Sequence, residues 1–224
     1  MVMRPTSICA IDFEATGKVQ GYHEIDEAGV IRVDGLTLMH EEKRLDMYVP
    51  PVWPERGTKK RRERNPRLGD LLRKFRSIAT NSIPLSHNLY FDLGMISAWY
   101  ELTDTRMPFF NSIEKNGYVG MGIDTLGIAD MLVTEGWIER SKMDWIAQWL
   151  DVPHPKPHRA IHDANAALEF FRWVLDETRT TPDVWYKPLL WEHPYGSRKQ
   201  RTERDRWVRG IRVEAGFRPY PGRK

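Results

Sequence analysis

The sequence predicts an α/β protein in which helices flank a mixed β-sheet. Three observations support this prediction: strand-like segments open the chain, helices and a strand then alternate, and further helices follow. A chain of 224 residues can bury one sizeable core and carry an appendage. No apolar run reaches the about 18 residues that a membrane helix needs. The first ten residues lack the apolar core of a signal peptide, and we therefore expect a cytoplasmic protein.

Three strands are predicted at the start of the chain. Residues 7–17 form a short apolar run that ends in glycine, which is typical of a strand. Residues 24–33 and 36–49 are the second and third strands, and Asp34-Gly35 between them favours a two-residue type I′ turn. The only cysteine, Cys9, lies in the first strand, and a single cysteine excludes an internal disulfide and a Cys-based zinc site.

Helices and one short strand are predicted after residue 64. Asn65 caps a helix that Pro66 opens and that runs to about Ile78. The apolar run at residues 83–85 precedes the next helix. Residues 103–120 contain proline and glycine and are predicted to be an irregular insertion. The other helices are predicted at residues 90–101, 126–133, 142–150 and 160–177.

Asp12 and Glu14 lie at the end of the first predicted strand. Side chains alternate across a strand, so both acids share the face of Ile8 and Ala10. Like charges this close repel each other, and a hard divalent cation with oxygen ligands would resolve the conflict. The alternative is that the two acids simply extend into a solvated loop.

Two further acids lie on or beside the inward face of a predicted helix. Asp92 precedes Ile96 at i+4, and Asp163 precedes Ala167 and Phe171 at i+4 and i+8. A carboxylate that faces a core is costly unless a partner compensates it. The four acids could therefore converge on one ion site. The alternative for either helical acid is a favourable interaction with the helix dipole.

His158 lies five residues before Asp163 and follows a segment with three prolines. It is therefore predicted on a loop or at the start of a helix. Histidine exchanges protons near neutral pH, so an imidazole here could act as a general base. The alternatives are a solvent-facing histidine with no such role, or His162 as the base, although His162 should point in another direction on the helix.

The order of these motifs carries a family resemblance. Asp-x-Glu at residues 12–14, His-Asn-x-x-Phe-Asp at 87–92 and His-x-x-x-x-Asp-Ala at 158–164 follow one another, with Asp-Thr-Leu at 124–126 between the last two. Over about residues 7–178, this order resembles the DEDDh exonucleases, the DnaQ-like group with an RNase H-like fold. The resemblance therefore implies an RNase H-like sheet for this chain.

The resemblance also implies a role for each motif residue. Metal binding by four acids is implied, with two Mg²⁺ or Mn²⁺ ions held by Asp12, Glu14, Asp92 and Asp163. The same comparison makes His158 the general base. Contacts to the substrate at its 3′-terminal nucleotide and scissile phosphate are implied for Phe13, Ala15, Thr16, His87 and Asn88.

The implied activity is 3′→5′ exonucleolytic release of nucleoside 5′-monophosphates from single-stranded nucleic acid. Asp12-Phe-Glu-Ala-Thr followed by His23 is similar to the Eri-type branch that acts on RNA. The His87-Asn88 pair and the third motif are similar to the proofreading and repair branch, so DNA is favoured over RNA. The alternatives are a catalytically silent nucleic-acid-binding module, an RNase H-type endonuclease and an accessory proofreading subunit that needs a polymerase partner.

The charge pattern divides the chain into an exonuclease-like domain at residues 1–178 and a basic C-terminal extension at 179–224. The extension has twelve Lys and Arg against five Asp and Glu, a net charge of +7; the whole chain is +3, so the first part carries −4. Seven aromatic residues, Trp185 among them, could stack on unpaired bases or pack onto the core. A second basic run at residues 56–67 could contact the substrate or remain solvated.

Overall fold

The computed structural model describes residues 7–18, 24–35, 37–50, 66–102, 111–114, 117–156 and 158–191. In these ranges, no helix is long and apolar enough to cross a membrane. The strands are β1 (Ser7–Ala15), β2 (Ile25–Asp34), β3 (Glu41–Tyr48), β4 (Ser82–Ser86), β5 (Asn111–Glu114), β6 (Gly117–Asp124) and β7 (Lys187–Trp191). The helices are α1 (Pro66–Ala79), α2 (Leu89–Leu102), α3 (Thr125–Thr134), α4 (Met143–Trp149) and α5 (Ala160–Thr178), and a 3₁₀ turn spans Pro182–Trp185.

The strands form one mixed sheet in the order β3-β2-β1-β4-β6-β5, and β7 also pairs with β6. β1 pairs antiparallel with β2 and β2 with β3, whereas β4 is parallel to β1 and β6 is parallel to β4. β5 and β7 both run antiparallel to β6. This mixed sheet with flanking helices has the RNase H-like fold, as the sequence predicted.

Helices cover both faces of the sheet, and β1 contributes to both cores. Ile8 and Ala10 pack with residues of α3, α4 and α5, whereas Ile11 and Phe13 pack with residues of α1 and α2. The alternation predicted for β1 is therefore confirmed. It places Asp12 and Glu14 on the face that α5 covers.

The predicted two-residue turn at Asp34-Gly35 is wrong, because β2 ends at Asp34 and β3 begins at Glu41. The Asp34 carboxylate accepts hydrogen bonds from the backbone N–H groups of Thr37 and His40, which holds a longer loop. Leu38 in this loop is buried, and its carbonyl accepts hydrogen bonds from the guanidinium of Arg172 in α5. The Arg172 side chain, on a helix distant in sequence, therefore helps to fix this loop.

The predicted irregular insertion at residues 103–120 needs a correction as well. Residues 111–114 form β5 and residues 117–120 begin β6, while residues 103–110 lie outside the described part of the chain. Glycine has low strand propensity, but the pairing of β6 with β5 and with β7 overrides it here.

The start of the predicted C-terminal extension packs onto the sheet. Trp185 is fully buried in the core cluster that includes α5, and its indole N–H donates to the Thr180 hydroxyl at 2.7 Å. Of the two roles suggested for the aromatic residues of the extension, Trp185 therefore has the second: it packs onto the core. The division into residues 1–178 and 179–224 stays a prediction. The basic run at residues 56–65 and the segment 192–224 lie outside the described residues.

A close contact between β2 and α5 sets the position of the helix that carries Asp163. A Cβ atom at Gly29 would lie 2.2 Å from the carbonyl carbon of Ala160, so only glycine permits this approach. On the same strand, the Glu27 carboxylate accepts hydrogen bonds from the Ala160 N–H at 3.1 Å and the Arg159 Nε at 2.7 Å. Glu27 thereby caps α5 from a neighbouring strand.

We expect the Gly29→Ala substitution to destabilise the protein by about 3 kcal/mol or more, since the added methyl group meets backbone atoms that cannot move away. At about 2–4 °C per kcal/mol for a chain of this size, the melting temperature should fall by roughly 6–12 °C.

The matched control is Gly69→Ala in α1, where the nearest atom to the added Cβ is the end of the Arg73 side chain at 3.9 Å. Here alanine should raise stability by about 0.5–1 kcal/mol because it favours the helix. Equal melting temperatures for the two variants would show that β2 and α5 are not in this contact.

Candidate active site

Three carboxylates from two elements meet at one point. Asp12 and Glu14 come from the end of β1, and Asp163 comes from the first turn of α5. One oxygen of each lies within 4.8 Å of the others. All three side chains are partly buried, so the cluster opens to solvent on one side while the sheet closes the other.

Asp92 lies beside this cluster but is not one of the three. It is only 2% exposed, and its two oxygens accept hydrogen bonds from the Phe13 N–H at 2.9 Å and from the Ser86 hydroxyl. These bonds tie the first turn of α2 to β1 and β4. The structure therefore places Asp92 in contact with the strands beneath the cluster, with both oxygens engaged.

Three of the carboxyl groups, those of Asp12, Glu14 and Asp92, have raised pKa values, and burial is the main cause in each. The pKa of Asp12 is raised well above its usual value, first by burial and then by the negative charges of Asp92, Asp163 and Glu14. Burial raises the pKa of Asp92 to about 7, although its hydrogen bonds from Ser86 and Phe13 oppose the rise. The pKa of Glu14 is raised by burial and by Asp163, and His158 lowers it.

The donor set fits a hard divalent cation. Carboxylate oxygens are the ligands that Mg²⁺ and Mn²⁺ prefer, and three of them converge here. Burial and the neighbouring carboxylates raise the pKa of Asp12, so its charged form is costly without a cation. A bound cation would relieve the repulsion that the metal-free cluster suffers.

The stability of the metal-free protein should fall as the pH rises from about 4 to about 7. An unfolded Asp titrates near pH 3.9, whereas the pKa of Asp92 in the folded protein is about 7. Between these values the folded state binds more protons, so rising pH favours unfolding. Millimolar Mg²⁺ or Mn²⁺ should raise the melting temperature more at pH 8 than at pH 5, because cations bind deprotonated carboxylates.

Thermal melts at both pH values with and without metal test this expectation. A potassium salt at equal ionic strength is the control, since a monovalent ion should not give the same stabilisation. Equal stabilisation by the divalent ion at pH 5 and pH 8 would contradict the assignment of these acids to a cation site.

His158 and His162 have different surroundings. His158 has a left-handed backbone with a φ of 61°, its side chain is 90% exposed, and its Nδ1 lies 3.8 Å from Glu14 Oε1. The Nδ1 of His162 instead lies 3.3 Å from the Lys156 carbonyl oxygen. Of the two histidines weighed as a base, His158 is the one that lies in contact distance of the carboxylates.

A third histidine, His154, was missed by the sequence analysis. Its Nε2 lies 2.7 Å from Asp163 Oδ1, and its side chain is only 7% exposed. The available signal was the spacing of histidines at positions 154, 158 and 162. A proline-rich loop separates His154 from α5, so the spacing alone does not show which of them contacts Asp163.

A cavity of about 590 Å³ opens over the carboxylates, and His87 and Asn88 lie on its wall. His87 Nε2 donates to the Ser141 carbonyl oxygen at 2.8 Å, which holds the ring in place, and burial lowers the pKa of His87. The lining within the described part of the chain consists of Asp12, Glu14, His87, Asn88, Leu126, Ser141, Lys142, Met143, Asp144, His154, His158 and Asp163.

The resemblance also implied a substrate role for Phe13, Ala15 and Thr16, which are not among the residues that line the described part of the cavity. The Phe13 ring is buried and packs edge-on against Phe75 at 5.4 Å, so its side chain belongs to the core. The Thr16 hydroxyl accepts a hydrogen bond from the Glu24 N–H at 3.1 Å and closes the end of β1. Ala15 packs against the same core as Phe13. Their contact with substrate therefore stays a prediction.

The sequence matches one protein-family model and parts of several known proteins. The sequence model of the RNase T family, described as an exonuclease, matches residues 9–171. A PolC-type DNA polymerase III from Clostridium perfringens (strain 13 / Type A) is 25% identical over 119 residues, 53% of this chain and 7% of the polymerase. The counterpart from Oceanobacillus iheyensis is 28% identical over 110 residues, 49% of this chain and 7% of the polymerase. The chain spans a small part of these relatives.

Two solved structures are also similar. A full-length 3′-exonuclease is 15% identical with a TM-score of 0.48, over 86% of this chain and 94% of that one. A structure described as 3′-end specific recognition of histone mRNA stem-loop by 3′-exonuclease is 15% identical with a TM-score of 0.47, over 84% of this chain and 72% of that one.

Proposed function

The chain belongs to the RNase T family of DEDD, or DnaQ-like, 3′→5′ exonucleases, and from this premise we propose that it is a metal-dependent enzyme acting on single strands. Each turnover removes the 3′-terminal nucleotide as a nucleoside 5′-monophosphate. The observation that carries the proposal is the convergence of Asp12, Glu14 and Asp163 within 4.8 Å at the floor of an open cavity.

The proposed metal site takes its carboxylates from β1, α2 and α5. Asp12, Glu14 and Asp163 would bind one Mg²⁺ or Mn²⁺ ion, and Asp92 beside them would assist a second. When bound, the metal ions act as Lewis acids at the phosphate and stabilise the charge that develops during the displacement. The hydrogen bonds from Phe13 and Ser86 keep Asp92 fixed while the substrate enters.

His158 is the proposed general base. Its imidazole is open to solvent and lies 3.8 Å from Glu14, so it can take a proton from the attacking water at the rim of the cluster. The left-handed backbone of His158 directs the chain from the loop into α5. The proton then passes to solvent, which the exposed ring contacts directly.

The proposed substrate is a single strand, with DNA favoured over RNA. A terminal nucleotide must leave its stack to enter a concave site, and unpaired ends do so at the lowest cost. The cavity of about 590 Å³ is within the usual range for small-molecule sites. The matched relatives are DNA polymerases, which supports DNA.

Degradation of matched 5′-labelled DNA and RNA strands tests the proposal. We expect a ladder of products that shortens from the 3′ end in Mg²⁺ or Mn²⁺, with the DNA strand consumed faster. A circular strand of the same sequence should remain intact, because it offers no 3′ end.

Cleavage of the circle would instead indicate an endonuclease, and the absence of cleavage in all reactions would indicate a silent binding module. Activity that requires an added polymerase would make this chain an accessory subunit. Preference for RNA would overturn the proposed sugar preference and leave the exonuclease assignment intact.

A further inference from the structure

The loop before α5 brings His154 into contact with Asp163 of the carboxylate cluster. Its side chain is 7% exposed, whereas that of His158, four residues later, is 90% exposed. The imidazole Nε2 donates a hydrogen bond of 2.7 Å to Asp163 Oδ1, nine residues further along the chain. Both histidines line the cavity, but the His154 ring is buried against Asp163, whereas the His158 ring is open to solvent.

The hydrogen bond fixes an acid that would otherwise be repelled. Asp163 is one of the charges that raise the pKa values of Asp12 and Glu14, so without a partner its carboxylate would tend to rotate away from them. A hydrogen bond to an ionised carboxylate is about twice as strong as one between neutral groups. It stabilises Asp163 in the orientation that keeps its oxygens in the cluster.

We propose that His154 is a positioning residue that holds Asp163 in the orientation required for divalent cation binding. The inference rests on the proposed use of a metal by this site. His158 remains the proposed base, because its ring is 90% exposed, whereas that of His154 is 7% exposed and bonded to Asp163. Partners that orient a metal ligand in this way typically change metal affinity or activity by about 10–100-fold when they are removed.

Direct titration with Mn²⁺ at a fixed pH, followed by the electron paramagnetic resonance of the free ion, tests this role. We expect His154→Leu to bind Mn²⁺ about 10–100-fold more weakly than the parent. His154→Gln should bind within about threefold of the parent, because its side-chain amide can donate from the place of Nε2. His162→Leu, which removes the neighbouring ring 6.5 Å away, should leave Mn²⁺ affinity unchanged.

The outcomes separate this inference from the proposed function. A parent protein that binds no Mn²⁺ would overturn both. A parent that binds Mn²⁺ and digests a strand, with His154→Leu equal to it in affinity, would overturn the role of His154 alone. If His154→Leu does not fold, His154→Gln and His154→Asn decide, since the shorter asparagine does not reach Asp163. Equal Mn²⁺ affinity of those two variants would then contradict the inference.

Discussion

The Asp12→Asn variant should lose at least about 10³-fold of the exonuclease activity while keeping its fold. Asp12 lies at the centre of the carboxylate cluster, and its pKa is raised by burial, Asp92, Asp163 and Glu14. Losing several kcal/mol of transition-state stabilisation corresponds to about three orders of magnitude in rate. The melting temperature without metal should hold or rise, because the substitution removes a repelling charge.

Asp70→Asn in α1 is the matched control. Asp70 pairs with Lys74 at 2.9 Å on the exposed face of that helix, where a salt bridge contributes little to stability. This variant should retain the activity of the parent. Activity within tenfold of the parent for Asp12→Asn, measured as initial rates on a labelled strand, would contradict the metal assignment.

The His158→Ala variant should turn over about 10²–10⁴-fold more slowly than the parent, the usual loss when a general base is removed. Its fold should be unaffected, because the side chain is 90% exposed. That exposure also makes a rescue test possible, since free imidazole can reach the vacated position. Single-turnover rates with and without imidazole measure both effects.

His162→Ala should lose far less activity, because His162 Nδ1 lies near the Lys156 carbonyl and the ring does not line the cavity among the described residues. The opposite ranking of the two variants would assign the base to His162. Loss of activity in His158→Ala without any recovery in imidazole would favour a role in positioning the substrate.

Local sequence patterns predicted which side chains of β1 face each core, but not the structures that depend on distant residues. The alternation along β1 is set by the backbone itself, so it correctly placed Ile8 and Ala10 in one core and Ile11 and Phe13 in the other. The Asp34-Gly35 turn failed because the loop is held by the guanidinium of Arg172, 134 residues away from Leu38. The strands within residues 111–120 were missed because they are held by the pairing of β5 with β6 and of β6 with β7.

The sequence predicted the residues of the candidate site but not the hydrogen bonds that hold them. The motif order identified Asp12, Glu14 and Asp163, which the fold brings together. It could not show that Asp92 is held by hydrogen bonds from Phe13 and Ser86, since those contacts depend on how α2 meets the sheet. The contact between His154 and Asp163 depends on the path of a proline-rich loop, which residue spacing does not determine.

Identifying the first products of one digest tests the central claim most directly. A single strand with a free 3′ end is incubated with the protein and Mg²⁺, and products are separated by chromatography from the earliest time points. We expect nucleoside 5′-monophosphates from the start, none without a divalent ion, and none above background from Asp12→Asn. Short oligonucleotides or nucleoside 3′-monophosphates as the first products would contradict the account.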